Sequence, residues 1–211
     1  MSAGAAARVV VIDDDRSVRT SLARLVGTAG YQVEALASAS EFLARPAGET
    51  PTCLVLDVRM PGLTGPELQQ LLSAAGRRLA IVFITGYADV RTGISAMKRG
   101  AVDFLTKPVQ AKELLGAIER GVALAIQARR EQAEATDLQG HVKTLSPREA
   151  EVFALVVTGM LNKQIGGQLG ITEKTVKVHR AQVMTKMGAD SLAELVQMAS
   201  RLGILAGKAA P

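Results

Sequence analysis

The sequence is poor in several residues that common functional classes require. Aromatic residues make up 3% of its 211 positions and tryptophan is absent, which argues against a protein that stacks single-stranded bases on aromatic platforms. Cysteine occurs once, as Cys53, so an internal disulfide is impossible and a cysteine-based zinc site has no ligand set. His141 and His179 are the only histidines, too few for a histidine-rich metal centre. No apolar run approaches the ~18 residues of a membrane-crossing helix. The start of the chain, Met1 to Ala7, has no basic segment followed by an apolar stretch, so no signal peptide is expected. A reducing, cytoplasmic setting is the expectation, with no membrane partner.

What remains is an ordinary globular composition, 48% hydrophobic and 21% charged. The length suits two domains, each able to bury its own core. The net charge of +5 is uneven: +2 over residues 1–125, −1 over 126–140 and +4 over 141–211. A basic C-terminal third suits a polyanionic partner there.

The first 125 residues alternate short apolar runs with helical patterns. Val9–Ile12, Gln32–Leu36, Cys53–Leu56, Ile81–Ile84 and Val102–Leu105 read as strands, with helices near 16–29, 39–45, 66–75 and 89–99. Continuous apolar strands separated by helices imply a parallel sheet covered on both faces. The expectation is an α/β, doubly wound, five-stranded domain. From Lys112 the pattern stays helical, with Leu114, Ile118, Val122 and Ala125 as its apolar stripe. The helix closes this domain and becomes a polar linker over 126–141, with Gly140 as the expected break.

Residues 142–211 hold no convincing strand and read as a second, smaller all-α domain. Ser146-Pro147-Arg148-Glu149 combines an N-cap, a proline at the first helical position and a capping-box acid. A short helix near 163–169, the turn Gly170-Ile171-Thr172 and a helix from Glu173 to Met187 form a helix-turn-helix. Ser191 caps a last helix. Cys53, in a strand, reads as a small core hydrophobe.

Four of the strands end in polar residues: Asp13-Asp14-Asp15, Asp57, Thr85, and Lys107-Pro108. Ligands of open parallel sheets bind beyond the carboxyl ends of the strands, so these side chains should converge. Clustered carboxylates repel one another unless a cation intervenes, and Mg2+ takes a few oxygens plus waters. Cation, ammonium and hydroxyl around one carboxylate make a phosphoryl site in which Asp57 is the nucleophile. Each piece alone has a bland reading: an aspartate after a strand usually caps a helix or forms a turn. The joint pattern, each at the end of its own strand, is what points to chemistry.

The segments Val11-Ile12-Asp13-Asp14-Asp15, Leu54-Val55-Leu56-Asp57-Val58-Arg59-Met60-Pro61-Gly62, Phe83-Ile84-Thr85-Gly86 and Asp103-Phe104-Leu105-Thr106-Lys107-Pro108 resemble the receiver domains of two-component response regulators. The resemblance implies Asp57 as phospho-acceptor, with Mg2+ held by Asp13, Asp14 and the backbone carbonyl of Arg59, Asp14 more directly than Asp13. It implies Thr85 as switch hydroxyl, Phe104 as switch aromatic and Lys107 as phosphate-binding cation. Asp15 stands as a spare acid near the rim. Leu145–Glu149, Asn162–Ile165, Leu169–Thr172 and Thr175–Arg180 resemble the LuxR-type helix-turn-helix of the FixJ/NarL group. Gly86-Tyr87-Ala88-Asp89-Val90 and the long linker lean towards FixJ, TodT and StyR.

The implied function is a phosphorylation-switched transcription regulator. Its phosphoryl donor would be a sensor histidine kinase and its target double-stranded promoter DNA. It would form a homodimer when phosphorylated, with RNA polymerase as a further partner. Its only catalysis would be Mg2+-dependent self-phosphorylation and slow autodephosphorylation. An aspartyl-phosphate hydrolase and a protein-binding scaffold are the competing readings. Helical geometry places Val176, Arg180, Val183 and Met187 on one side, and Lys174, Val178, Ala181 and Thr185 opposite, flanked by Lys177 and Gln182. Lys174, Thr175, Lys177, Val178, Ala181 and Gln182 are the expected groove-facing set, with Lys163 and Lys186 on phosphates. His179 reads as a partly buried packing residue or a phosphate contact.

Overall fold

In the computed structural model, residues 7–46, 48, 50–86 and 90–204 are described, with the side chain of Val90 excepted. The elements are β1 (Arg8–Ile12), α1 (Arg16–Thr28), β2 (Gln32–Leu36), α2 (Ala39–Leu43), β3 (Thr52–Asp57), α3 (Gly65–Ala74), β4 (Ala80–Thr85), α4 (Val90–Lys98), β5 (Asp103–Thr106), α5 (Ala111–Lys143), α6 (Pro147–Val156), α7 (Asn162–Leu169), α8 (Glu173–Met187) and α9 (Leu192–Arg201). The chain divides into two units, Met1–Arg130 and Glu131–Pro211.

The first unit is a five-stranded, wholly parallel sheet in the order β2-β1-β3-β4-β5. Because side chains alternate along a strand, each strand feeds two cores. Val9, Val11, Cys53, Val55, Val82 and Ile84 pack with Leu22, Val26, Leu114, Ile118 and Val122. Val10, Ile12, Leu54, Leu56, Ile81 and Phe83 pack on the other face with Phe42, Leu68, Leu72 and Ala96. Burial on both faces is why the strands read as unbroken apolar runs. Cys53 is fully buried against Gly121 of α5, where a methyl group would come within 2.6 Å of its sulfur. The strand order reverses beside β1 and β3, so their carboxyl ends border a crevice.

One boundary differs from the sequence reading. α5 runs through Gly140 without a break and ends at Lys143. A helical glycine costs only about 1 kcal/mol, and Leu138 and Val142 on either side of Gly140 join the core of the second unit. Their burial outweighs the glycine penalty.

That second core gathers Val152, Phe153, Val156, Ile165, Val176, Val183, Met187 and Leu195. Ser146 and Glu149 close the capping box at the start of α6. Between α7 and α8 the chain turns through Gly170 at φ +67°. A Cβ on Gly166 would lie 2.7 Å from the carbonyl oxygen of Ile171, so only glycine admits this close return of the chain. The Arg180 guanidinium donates to Asn162 Oδ1 at 3.3 Å, tying α8 to α7.

Candidate functional site

Asp13, Asp57, Thr85 and Lys107 all lie at the carboxyl ends of β1, β3, β4 and β5. Asp13, Asp57 and Thr85 are buried, and Asp14 is exposed. Asp13, Asp14 and Asp57 can each present one oxygen within 4.8 Å of the others'. Lys107 Nζ lies 2.7 Å from Asp13 Oδ2 and 3.2 Å from Asp57 Oδ1. Burial pushes the Asp57 carboxyl above its ordinary range, and the Lys107 ammonium opposes that push. Burial works against the charge on Lys107, but its bonds to Asp13 and Asp57 outweigh this and raise its pKa. The site is therefore two buried acids held on one ammonium, with a third acid at the solvent edge. Three hard oxygen donors this close form a ligand set that fits a small divalent cation with waters completing its shell.

The backbone around Asp57 is fixed from several sides. Val58 N donates to Ile84 O at 2.9 Å, Gly65 N to Val58 O at 3.1 Å, and Lys107 N to Thr85 O at 2.7 Å. The Lys107–Pro108 peptide is cis. Arg59 lies in the loop two residues beyond Asp57. Phe104 pairs in register with Phe83, their ring centroids 6.3 Å apart, and a methyl group on Gly93 of α4 would sit 3.4 Å from its ring. Tyr87, Ala88 and Asp89 lie outside the described residues.

Some participants escaped the sequence reading. Asp15 is the N-cap of α1, its carboxylate accepting from Ser17 N at 2.7 Å and Val18 N at 3.1 Å. Its position directly before a helical run was the available signal. Arg19 donates to the carbonyls of Asp13 at 2.6 Å and Asp14 at 3.2 Å, holding the acidic loop by its backbone. Gly65 abuts Asp57 so closely that a Cβ would meet its carbonyl oxygen at 2.4 Å; no sequence pattern announces that contact.

In the second unit, α8 has the two faces that helical geometry requires. Val176, Val183 and Met187 are buried, and Arg180 is half-buried. Lys174, Lys177, Val178, Ala181 and Gln182 are exposed, as is Lys163 on α7. Val178 is 55% exposed, on the same side of the helix as the exposed Lys174. Thr175 is half-buried and its hydroxyl shares a 2.8 Å hydrogen bond with that of Thr172. His179 is half-buried. Lys186 departs from the expectation of a cation free for phosphate. Its ammonium bonds Glu149 Oε2 at 2.6 Å and the Thr144 carbonyl at 3.2 Å. Residue 186 falls over the start of α6, so the acid of that capping box claims the charge.

Residues 9–119 match the family of response regulator receiver domains, and residues 143–199 match the bacterial regulatory proteins of the luxR family. The chain is a response regulator with a LuxR-type DNA-binding domain. It is 44% identical to Nodulation protein W of Bradyrhizobium diazoefficiens over 94% of this chain and 87% of that one. It is 43% identical to the transcriptional regulatory protein FixJ of the same organism, over 93% and 96%. The solved structure of response regulator StyR superposes with a TM-score of 0.80 at 44% identity, over 92% of this chain and 98% of that one. The acidic crevice thus belongs to the receiver domain of this regulator, and the exposed face of α8 to its DNA-binding domain. Among the described residues no helix is long and apolar enough to cross a membrane.

Proposed function

We propose that this response regulator, acting in the cytoplasm, accepts a phosphoryl group on Asp57 from a sensor histidine kinase. The modified protein then dimerises and engages promoter DNA. The functional division is a receiver over 1–125, a helical linker over 126–141 and the DNA-binding domain over 142–211. The observation that carries the reading is the Lys107 ammonium lodged between Asp13 and Asp57. An Asp57 oxygen attacks phosphorus, and the bond to the donor, a phosphohistidine nitrogen or a carboxylic acyl oxygen, breaks with its electron pair. Asp13, Asp14, Asp57 and the Arg59 carbonyl would hold Mg2+. When bound, Mg2+ would offset the negative charge that otherwise keeps a phosphate out of this crevice. Lys107 exchanges its carboxylate contacts for a phosphoryl oxygen, and the Thr85 hydroxyl donates to another.

The new charge, about −1.5 to −2 at neutral pH, draws Thr85 inward and Phe104 follows. Ile94 and Met97 on α4 are 52% and 45% exposed, which supports pairing of two copies across α4 and β5. On DNA, Lys174, Thr175, Lys177, Val178, Ala181 and Gln182 face the major groove, Lys177 on guanine acceptors and Val178 on a thymine methyl group. Lys163 contacts phosphate, and RNA polymerase is the downstream partner. We assign Lys186 to stabilising the domain instead of to phosphate.

The test is labelling with acetyl phosphate. The wild type should incorporate phosphate only with Mg2+, Asp57→Asn should abolish it, and Asp14→Asn should weaken Mg2+ binding, so that labelling needs more of the ion. Undiminished labelling of Asp57→Asn, with the modified site mapped elsewhere, would overturn the assignment. Sedimentation of the beryllofluoride-treated protein should show a shift towards dimer.

A further inference from the structure

At the opposite end of the receiver sheet from Asp57 there is a second polar cleft. It is formed by the C-terminal ends of α3 and α4 and the start of β4, and measures about 220 Å³. Arg77, Arg78 and Arg99 line it, and among the described residues no acidic one does. Among the described residues none of the three arginines forms an ion pair with a carboxylate. Two of them are held in place. Arg77 lies over the Phe42 ring, 5.6 Å from its centroid. Arg99 donates to the amide oxygen of Gln70 at 2.6 and 3.1 Å once that amide is oriented to satisfy both groups.

The electrostatics favour an anion. The ends of α3 and α4 contribute roughly half a negative charge each. Three guanidiniums exceed that, and several of the terminal carbonyls are already capped by Ala75, Gly76, Arg77, Gly100 and Ala101 amides. Gln69, 5% exposed, fixes the floor of the cleft: its amide N–H groups bond the carbonyls of Ala96 and Arg99 at 3.3 and 3.4 Å. An occupant that meets the unpaired positive charge carries anionic oxygens for the arginines.

We propose that this cleft binds a small phosphate monoester through its anionic oxygens. The site is separate from the phosphorylation chemistry and does not depend on it. Amide NMR on the full chain in the metal-free state tests it, with glycerol 3-phosphate and methyl phosphate as probes. Saturable shifts are expected at Ser73, Arg78 and Gly100 while Asp14, Val58 and Lys107 stay still. The two probes should bind with similar affinity, because the arginines meet the phosphate they share. Arg78→Gln, an exposed change that leaves the core untouched, should weaken both probes at least tenfold. Shifts confined to the Asp57 rim, or Arg78→Gln binding within twofold of wild type, would overturn the site.

Discussion

Replacing glycine by alanine at Gly65 and at Gly140 should have opposite effects, and only the tertiary structure says why. Both residues are helical, so the backbone benefit is similar: alanine restricts the unfolded chain and favours helix by about 0.5–1 kcal/mol. At Gly140 an added Cβ meets nothing within 4 Å, so the benefit stands and Gly140→Ala should stabilise by about that amount. At Gly65 the same atom would lie 2.4 Å from Asp57 O, 3.1 Å from Phe83 Cε1 and 3.2 Å from Leu56 Cγ. Comfortable contact begins near 3.5 Å, so the overlap with the carbonyl is about 1 Å. That carbonyl belongs to a central, fully buried strand and cannot retreat. The start of α3 must back away, at about 1–3 kcal/mol for overpacking, which exceeds the backbone benefit. Gly65→Ala should therefore lower stability by about 1–2 kcal/mol. The loop between Asp57 and α3, which carries Arg59 and is tied to Gly65 N through Val58 O, must move with the helix start; a displacement of ~1 Å can cost ~100-fold in a reaction that depends on position, so labelling by acetyl phosphate should slow well beyond the stability loss. Urea unfolding followed by circular dichroism and a labelling time course read both quantities. Gly65→Ala matching the wild type in stability and rate would refute the reasoning, as would Gly140→Ala being destabilising.

Three further outcomes are expected. Lys177→Ala should cost ~1–3 kcal/mol on the specific DNA site and relax preference at one base pair of each half-site; equal losses on operator and scrambled DNA, in titrations at several salt concentrations, would make Lys177 a phosphate contact. Lys186 and the Ser146 backbone hold the Glu149 carboxyl down to a pKa of about 2 from an ordinary 4.5. Because the folded value is the depressed one, this stabilisation is complete above about pH 4.5 and is lost as the pH falls towards 2. Denaturant unfolding at a series of pH values should show that loss in the wild type and a smaller one in Lys186→Met. Burial pushes the Cys53 thiol up to about 12, so in the native protein it should resist aromatic disulfide reagents at pH 8 and react only after denaturation.

The sequence alone determined the architecture and which side chains gather at the carboxyl edge of the sheet. Strands buried on both faces leave unbroken apolar runs, and a parallel sheet sends every strand end to one side, so Asp13, Asp57, Thr85 and Lys107 could be gathered without coordinates. Helical periodicity likewise separated Val176, Val183 and Met187 from Lys177, Val178 and Gln182, because both faces of α8 follow from a fixed rotation per residue. The tertiary structure decided what depends on distances between residues remote in sequence. Lys186 meets Glu149 across 37 positions, a pairing that no local pattern announces. Gly65 is required because a helix start and a strand end approach within one atom's width. Arg19, and the cluster of Arg77, Arg78, Arg99 and Gln69, carry no local pattern, since a side chain's partner across the fold is set by packing and not by its neighbours in the chain. The continuity of α5 through Gly140 belongs to the same class: a weak local preference yielded to the burial of Leu138 and Val142 in a core assembled from other helices.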